Sequence, residues 1–448
     1  MSEPGDADGW APLDPDLSGD RPRPAEPPPR EPYSQEDRPP YGPPPEQAQQ
    51  PYTAGMPYWP GAPAQPPGWD QQYGAAPYGQ AYPGYPGYGA QPVRTSWTVA
   101  APAGSPFHRL ARNGSHRWWR PLVGSLAIAG IGLSLAMGLM LAGMIIRVVV
   151  TGELPETTGA DPNTIFGDDT ADLAFNLAAL AVFLPVAVFA AWGIQRRRPG
   201  TLSSVAGRLR WKWMLVCCGL AILFCIVAYG TSLLAAVGMD DQSGGDEHWV
   251  GWDKFLVPAI VIILLVPFQA AAEEYVFRGW VLQAVGACTL ENARGRVGQP
   301  FSVVFRTPWP GIVIGSALFT AGHGYTGWGI LDIFVFGAIA AWLAVRTGGL
   351  EASIALHVFN NLLAFLGSAT IGQLDIEQGG VPWQVVVADI VPMVLFAAAA
   401  VWLARRMRVQ TVTADPTDSA GSTDPAGPTD SAADDVPVTA DSPPAHAS

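Results

Sequence analysis

Two adjacent glutamates and an arginine, Glu273-Glu274 and Arg278, continue the apolar run Phe255–Gln269. An ionisable group placed in hydrocarbon costs roughly 2.5–3.5 kcal/mol on insertion scales, so such residues are functional candidates by default. On a helix, neighbouring side chains point about 100° apart, and the two glutamates must therefore face different partners. Glu274 and Arg278 are four residues apart on one face and suit an internal ion pair. Glu273 has Phe277 at that offset and no local cation. An unpaired carboxylate withdrawn from bulk water is suited to take a proton from a water molecule and return it.

The plainer reading is a pair of interfacial charges at a helix end, each reaching water. Two further features shift the balance. Phe319-Thr320-Ala321-Gly322-His323 ends one apolar stretch with a histidine, and His357-Val358-Phe359-Asn360-Asn361 places a histidine and Asn361 one turn apart in another. Of the 6 His in the chain, His323 and His357 alone fall within the predicted spans. A lone intramembrane histidine is most often a hydrogen-bonding residue between helices. Two histidines, an asparagine and a glutamate pair on three separate spans are much harder to explain in that way.

The elements that must position these residues follow from composition. The chain has 448 residues, 49% hydrophobic but only 14% charged, against about 25% charged in ordinary soluble proteins. Eight apolar stretches, most of them near the roughly 20 residues that cross a bilayer, are separated by charged or Gly/Pro-rich breaks. They run Leu122–Ile146, Leu173–Ile194, Trp213–Val237, Phe255–Leu282, Pro310–His323, Trp328–Val345, Ala352–Ala369 and Trp383–Ala404. The fifth is the shortest and ends in a Gly-rich stretch. The expected fold class is all-α, a polytopic bundle of about eight transmembrane helices.

The formal net charge of −13 is an average over unlike parts. Residues 1–107 carry 5 Arg against 12 Asp and Glu, and residues 409–448 carry 7 Asp and no Lys or Arg, while 108–408 is nearly neutral with 20 basic and 19 acidic residues. The first segment also holds 26 of the 44 Pro and 9 of the 12 Tyr. Both ends therefore read as disordered tails around a transmembrane domain spanning 108–408, with too few aliphatic residues to repay the entropy of ordering. The N-terminal tail, rich in Pro, Tyr, Gly and Gln, is a possible ligand for a cytoplasmic partner. Nucleic acid is not an expected partner of so acidic a chain.

Lys and Arg accumulate on the cytoplasmic side of membrane proteins. With eight crossings, Arg109, Arg112, Arg117 and Arg120 fall inside, as do Arg196, Arg197, Arg198, Arg208, Arg210 and Lys212, and likewise Arg294, Arg296, Arg306, Arg346, Arg405, Arg406 and Arg408. The loops left outside are acidic. The expected location is the cell membrane, with both termini cytoplasmic. The 4 Cys lie within or beside spans, without a Cys-x-x-Cys spacing, and read as packing residues.

The three motifs, Glu273-Glu274-x-x-x-Arg278, Phe319-x-x-x-His323 and His357-x-x-x-Asn361, match in type, spacing and order those of the CPBP family, which this sequence resembles over roughly residues 255–370. That family comprises membrane-embedded CAAX prenyl proteases and bacteriocin-processing (Abi) proteins, regarded as glutamic intramembrane endopeptidases. The resemblance implies a metal-independent protease that acts on a membrane-associated or prenylated peptide without a covalent intermediate. It implies Glu273 as the base that activates water, His323 as its helper, and His357 and Asn361 as hydrogen-bond donors to the developing oxyanion. Glu274, Arg278 and Phe319 would shape the site. Membrane lipid and a membrane-associated peptide or protein are the partners implied.

Three alternatives stand beside this reading. Two histidines and a carboxylate form a common zinc set, although no single-helix zinc spacing is present, so zinc ranks below a site without cofactors. A catalytically silent membrane scaffold or regulatory protein of the same fold is the main rival, and a transporter using Glu273 as a proton relay is a third. Depth poses a further question. His323 lies about 21 Å along the fifth span at 1.5 Å per residue, whereas His357 is only some five residues into the seventh. Strong tilt, a fifth helix broken at its Gly-rich end, or a water-filled cavity would reconcile them.

Overall fold

The helices follow the apolar runs because hydrocarbon leaves a spanning backbone no partners but its own carbonyls. The computed structural model describes residues 96–152, 166–237, 248–288, 293–374 and 379–415. The expected tails beyond residues 96 and 415 and most of the expected acidic outer loops lie outside these residues. In chain order the helices are α1 (Trp119–Thr151), α2 (Asp169–Ala181), α3 (Phe183–Gly193), α4 (Trp211–Val237) and α5 (Trp252–Glu273). A π-helical segment, Glu274–Val281, joins α5 to α6 (Leu282–Gly286). Then come α7 (Gly298–Phe305), α8 (Trp309–Ala321), α9 (Trp328–Thr347), α10 (Glu351–Thr370) and α11 (Trp383–Arg406).

Seven of the resulting rods are long and apolar enough to cross a membrane: α1, α2 with α3, α4, α5 through α6, α9, α10 and α11. The small break between α2 and α3 has a covalent cause, since Pro185 has no N–H to offer the carbonyl of Ala181. The expected fifth span is α8, whose 13 residues extend about 20 Å, short of a hydrocarbon core of about 30 Å. It stops where glycine begins. The chain then turns back through a two-residue strand, Thr326–Gly327, which pairs in parallel with Gly380–Val381.

Helices α9, α10 and α11 pack with α4 and α5 around the middle of the fold, while α8 lies against α9 and the end of α6. Close approach depends on small residues, as in other membrane bundles. Gly124 of α1 is one example: a side chain there would overlap the indole of Trp280, whose Nε1–H reaches Ser125 Oγ at 2.9 Å. Large side chains such as Leu126, Val149 and Leu215 point outward, which suits a lipid-facing surface.

The boundaries drawn at 107 and 409 fall inside ordered structure. Val99 N donates to Arg196 O at 2.7 Å, Trp97 Nε1 donates to Trp192 O at 3.0 Å, and Phe107 is fully buried. Ser105 and Thr413 exchange hydrogen bonds, with Pro106 bridging Val412. Residues 96–107 and 409–415 therefore pack on the bundle rather than belonging to the tails. A few aromatic and aliphatic anchors, Trp97, Val99 and Phe107, suffice to dock a segment whose average composition resembles the tail.

One buried ion pair fastens four pieces of chain. Glu351, the first residue of α10, is fully buried and receives Arg210 Nε at 2.8 Å, Nη2 at 2.6 Å and the Arg210 backbone N–H at 2.8 Å. Arg210 Nη1 also donates to Thr347 O at the end of α9 and to Gln410 O beyond α11. Removing one partner leaves a buried charge unmatched, which typically costs about 3–5 kcal/mol. Glu351→Ala is expected to destabilise the detergent-solubilised protein by about that amount, read as a lowered thermal midpoint, and more than Arg346→Ala.

Candidate active site

The change from α to π winding begins at Glu274, immediately after Glu273. Such segments are rare and recur at functional sites. Here the segment carries Glu274 and Arg278 into the interior. Glu274 is fully buried and Arg278 nearly so, with Arg278 Nη1 2.9 Å from Glu274 Oε1. The expected ion pair is present. The same Glu274 oxygen meets His357 Nδ1 from α10 at 2.8 Å. The guanidinium also lies over the rings of Phe319 (4.2 Å to the centroid) and Phe336 (5.7 Å). Cation–π attraction is strongest in such a desolvated setting.

Glu273 faces differently. It retains 13% side-chain exposure and lines a cavity of about 1140 Å3 together with Phe277, Phe319 and His323. Its Oε1 accepts a 2.6 Å hydrogen bond from Gln269 Nε2, one turn earlier on α5. Its Oε2 is 3.6 Å from His357 Nε2, beyond hydrogen-bonding distance, and has no hydrogen-bond partner among the described residues. One oxygen is held, while the other is buried without a hydrogen-bond partner. Gln269 is held in turn, since its Oε1 accepts from Asn361 Nδ2 at 3.2 Å.

Four helical pieces thus bring together every residue singled out in the sequence. Glu273 comes from the end of α5, Glu274 and Arg278 from the π segment, Phe319 from α8 with His323 just beyond it, and His357 and Asn361 from α10. The depth question has a local answer. Helix α8 ends at Ala321, and His323 folds back so that its Nδ1 is 2.8 Å from Phe319 O. The Phe319 ring then touches both histidines, with centroids 4.5 Å from His323 and 5.9 Å from His357. His323 itself lines the cavity. His357 and Asn361, expected as donors to a substrate oxygen, here direct hydrogen bonds to Glu274 and Gln269.

Gln269 was not singled out in the sequence. Its signal was nevertheless there: an amide inside an apolar run, four residues before Glu273 and on the same face. Phe336, against Phe319 and His357, carried no such signal, because an aromatic in a span is ordinarily packing. Among the described residues, no three His, Cys, Asp or Glu side chains are arranged to hold a metal ion.

The buried pair should behave as a unit. Glu274→Gln and Arg278→Gln are each expected to lower the thermal midpoint, and the double variant should lose less than the sum. The coupling expected from a double-mutant cycle is about 0.5–3 kcal/mol, and additive losses would mean the two side chains act separately.

Comparison with known proteins places these residues in context. Residues 254–363, which include every site residue named above, match the family model described as type II CAAX prenyl endopeptidase Rce1-like. An uncharacterised Bacillus subtilis protein, YyaK, is 23% identical over 313 residues, 66% of this chain and 95% of that relative. No solved structure matches. With seven helices among the described residues long and apolar enough to cross a membrane, the chain is a multi-pass membrane protein, and its residues 254–363 are similar to the Rce1-like type II CAAX prenyl endopeptidases.

Proposed function

We propose that the protein hydrolyses a peptide bond of a membrane-associated peptide or protein, with Glu273 as general base and without a metal or a covalent intermediate. The observation that carries this reading is the placement of Glu273. One carboxylate oxygen is fixed by Gln269, the other is unpartnered, and both belong to a side chain on the wall of a large cavity shared with His323. The unpartnered oxygen is buried, so a side-chain movement must bring it to a water in the cavity, which would then lose its proton to Glu273 as it attacks the scissile carbonyl. Proton transfer of this kind contributes about 10²–10⁴-fold.

His323 is the second group on the cavity wall that can exchange a proton. Its Nδ1–H donating to Phe319 O would leave Nε2 as an acceptor on the open side, suited to orient the attacking water. His357 and Asn361 stand behind Glu273 and supply donors close to the reacting position. Fixed donors of this kind stabilise charge more strongly away from bulk water. For either side chain to reach an oxyanion, it must exchange its present contact with Glu274 or Gln269 for the substrate. Glu274, Arg278 and Phe319 act by holding His357 and the π segment in place.

The rest of the cavity wall is mostly apolar, with Leu122, Leu133, Phe183 and Leu318 among its residues. Such a surface suits a substrate with an apolar portion, including a peptide carrying a lipid. The arginine distribution supports both termini on the cytoplasmic side, which requires α8 and the loop after it together to complete an eighth crossing, and a cytoplasmic partner of the N-terminal tail belongs to the same reading.

The test is cleavage of a peptide panel, with and without a prenylated C-terminal cysteine, by purified full-length protein in detergent. Glu273→Gln is expected to lower kcat by about 10²–10⁴-fold, and a chelator to leave the wild-type rate unchanged. Gln269→Leu should lower kcat by a smaller factor, with KM held. Cleavage that persists in Glu273→Gln would overturn the mechanism. Loss with chelator that zinc restores would instead make the protein a metalloenzyme.

A further inference from the structure

His323 sits in the connection between α8 and α9, outside either helix. Its backbone is tied to the end of α8, where His323 N donates to Thr320 O at 3.0 Å. Its imidazole is held to the same helix at one ring atom, through Nδ1 to Phe319 O. The second side-chain torsion of histidine is broad, so one such bond does not by itself fix the plane of the ring.

Aromatic rings border the imidazole. Phe319 lies 4.5 Å away, centroid to centroid, tilted by 47°. Tyr325, two residues further along the connection, lies 6.4 Å away with its plane only 26° from that of the imidazole. Both separations fall in the range of roughly 4.5–7 Å over which aromatic pairs attract, and the near-parallel partner is the one that defines a plane.

Tyr325 is itself held from two sides. Gly329, in the first turn of α9, is buried, and a Cβ there would come within 2.9 Å of the Tyr325 ring and 3.2 Å of Gly379 O. Only glycine lets the ring lie so close to the helix. The next residue, Thr326, is fixed by the pairing of Thr326–Gly327 with Gly380–Val381, and its N–H donates to Gly379 O at 3.1 Å. An aromatic beside a span is ordinarily an interfacial anchor, as the exposed Trp328 is. Tyr325 is half-buried instead, packed against α9 and His323, and it does not line the cavity.

We infer that Tyr325 is a positioning residue for His323, an assignment that rests on His323 orienting the attacking water. Its ring sets the plane of the imidazole, while Gly329 and the paired strands set the place of Tyr325. The segment that leads into α11 is thereby coupled to the active site through one side chain. Misplacing a reacting group by about 1 Å can cost about 10²-fold in rate. The ring carries this role, and the hydroxyl does not.

The test uses purified full-length protein in detergent, carrying 13C-labelled histidine, with the His323 signal identified by its absence in His323→Asn. Wild type and Tyr325→Phe should each give one sharp His323 signal, and Tyr325→Ala a broadened or doubled one. On a cleaved peptide, Tyr325→Ala is expected to lower kcat by about tenfold with KM held, and Tyr325→Phe to keep the wild-type rate. Gly329→Ala, which retains the tyrosine but displaces its ring, should act in the same direction as Tyr325→Ala. An unchanged His323 signal in Tyr325→Ala, or a Tyr325→Phe variant as impaired as Tyr325→Ala, overturns the inference. Cleavage that persists in Glu273→Gln would remove the general base and leave the His323 signal to decide the role of Tyr325. Should Tyr325→Ala fail to fold, Gly329→Ala decides in its place.

Discussion

Glu274 is a carboxylate with no exposed surface, and the interior of the domain is arranged around satisfying it. Its cation, Arg278, comes from the same helical segment, and its second partner, His357, comes from α10. A buried charge is tolerated only when paired and contacted on its remaining sides. The aromatic rings of Phe319 on α8 and Phe336 on α9 cover the guanidinium, so four separate rods converge on one ion pair. Losing the pair would remove the reason for these helices to meet at these residues. The π winding serves the same end, because it turns Glu274 and Arg278 inward while Glu273, one residue earlier, remains on the cavity wall.

The pair of adjacent glutamates therefore divides its labour through geometry. Side chains separated by about 100° cannot share one environment. Glu274 is turned to protein and meets a cation and an imidazole through Oε1, while its Oε2 has no hydrogen-bond partner among the described residues. Glu273 lies on the cavity wall, with one oxygen held by Gln269. His357 stands between them, with Nδ1 at Glu274 and Nε2 toward Glu273. Because the ring is fixed by Glu274, its distance from Glu273 is set by the structural pair rather than by solvent. The buried carboxylate thus sets where His357 stands beside Glu273.

The parts of this arrangement that were legible in the sequence are those with an energetic signature along the chain. Apolar runs marked the rods to within a few residues, since only a continuous helix is stable in hydrocarbon. Glu273, Glu274, Arg278, His323, His357 and Asn361 stood out because each is expensive there. The ion pair between Glu274 and Arg278 followed from their spacing. What remained hidden depends on contacts between distant segments. The partnership of His357 with Glu274 spans 83 positions and that of Asn361 with Gln269 spans 92, and no local pattern encodes either. The docking of residues 96–107 was hidden by averaging, as a handful of anchors was diluted among prolines. The short α8 was marked by its Gly-rich end, but the way His323 folds back onto Phe319 is a matter of side-chain packing.

That folding back explains why a helix too short to span is placed beside Glu273. A full-length span carrying His323 at its end would put the imidazole a membrane thickness from α8's own start, away from α10. By ending at Ala321 and reversing through Gly322-His323-Gly324, the chain stops at the depth of Phe319, where both histidines can touch one ring. The irregular backbone this requires is tolerated at membrane depth only where it borders a cavity or protein. Gly322 and His323 line the cavity beside Glu273. The cavity that borders Glu273 thus also borders the glycine-flanked loop that carries His323, so the fold has one place where both the carboxylate and the irregular backbone can be accommodated.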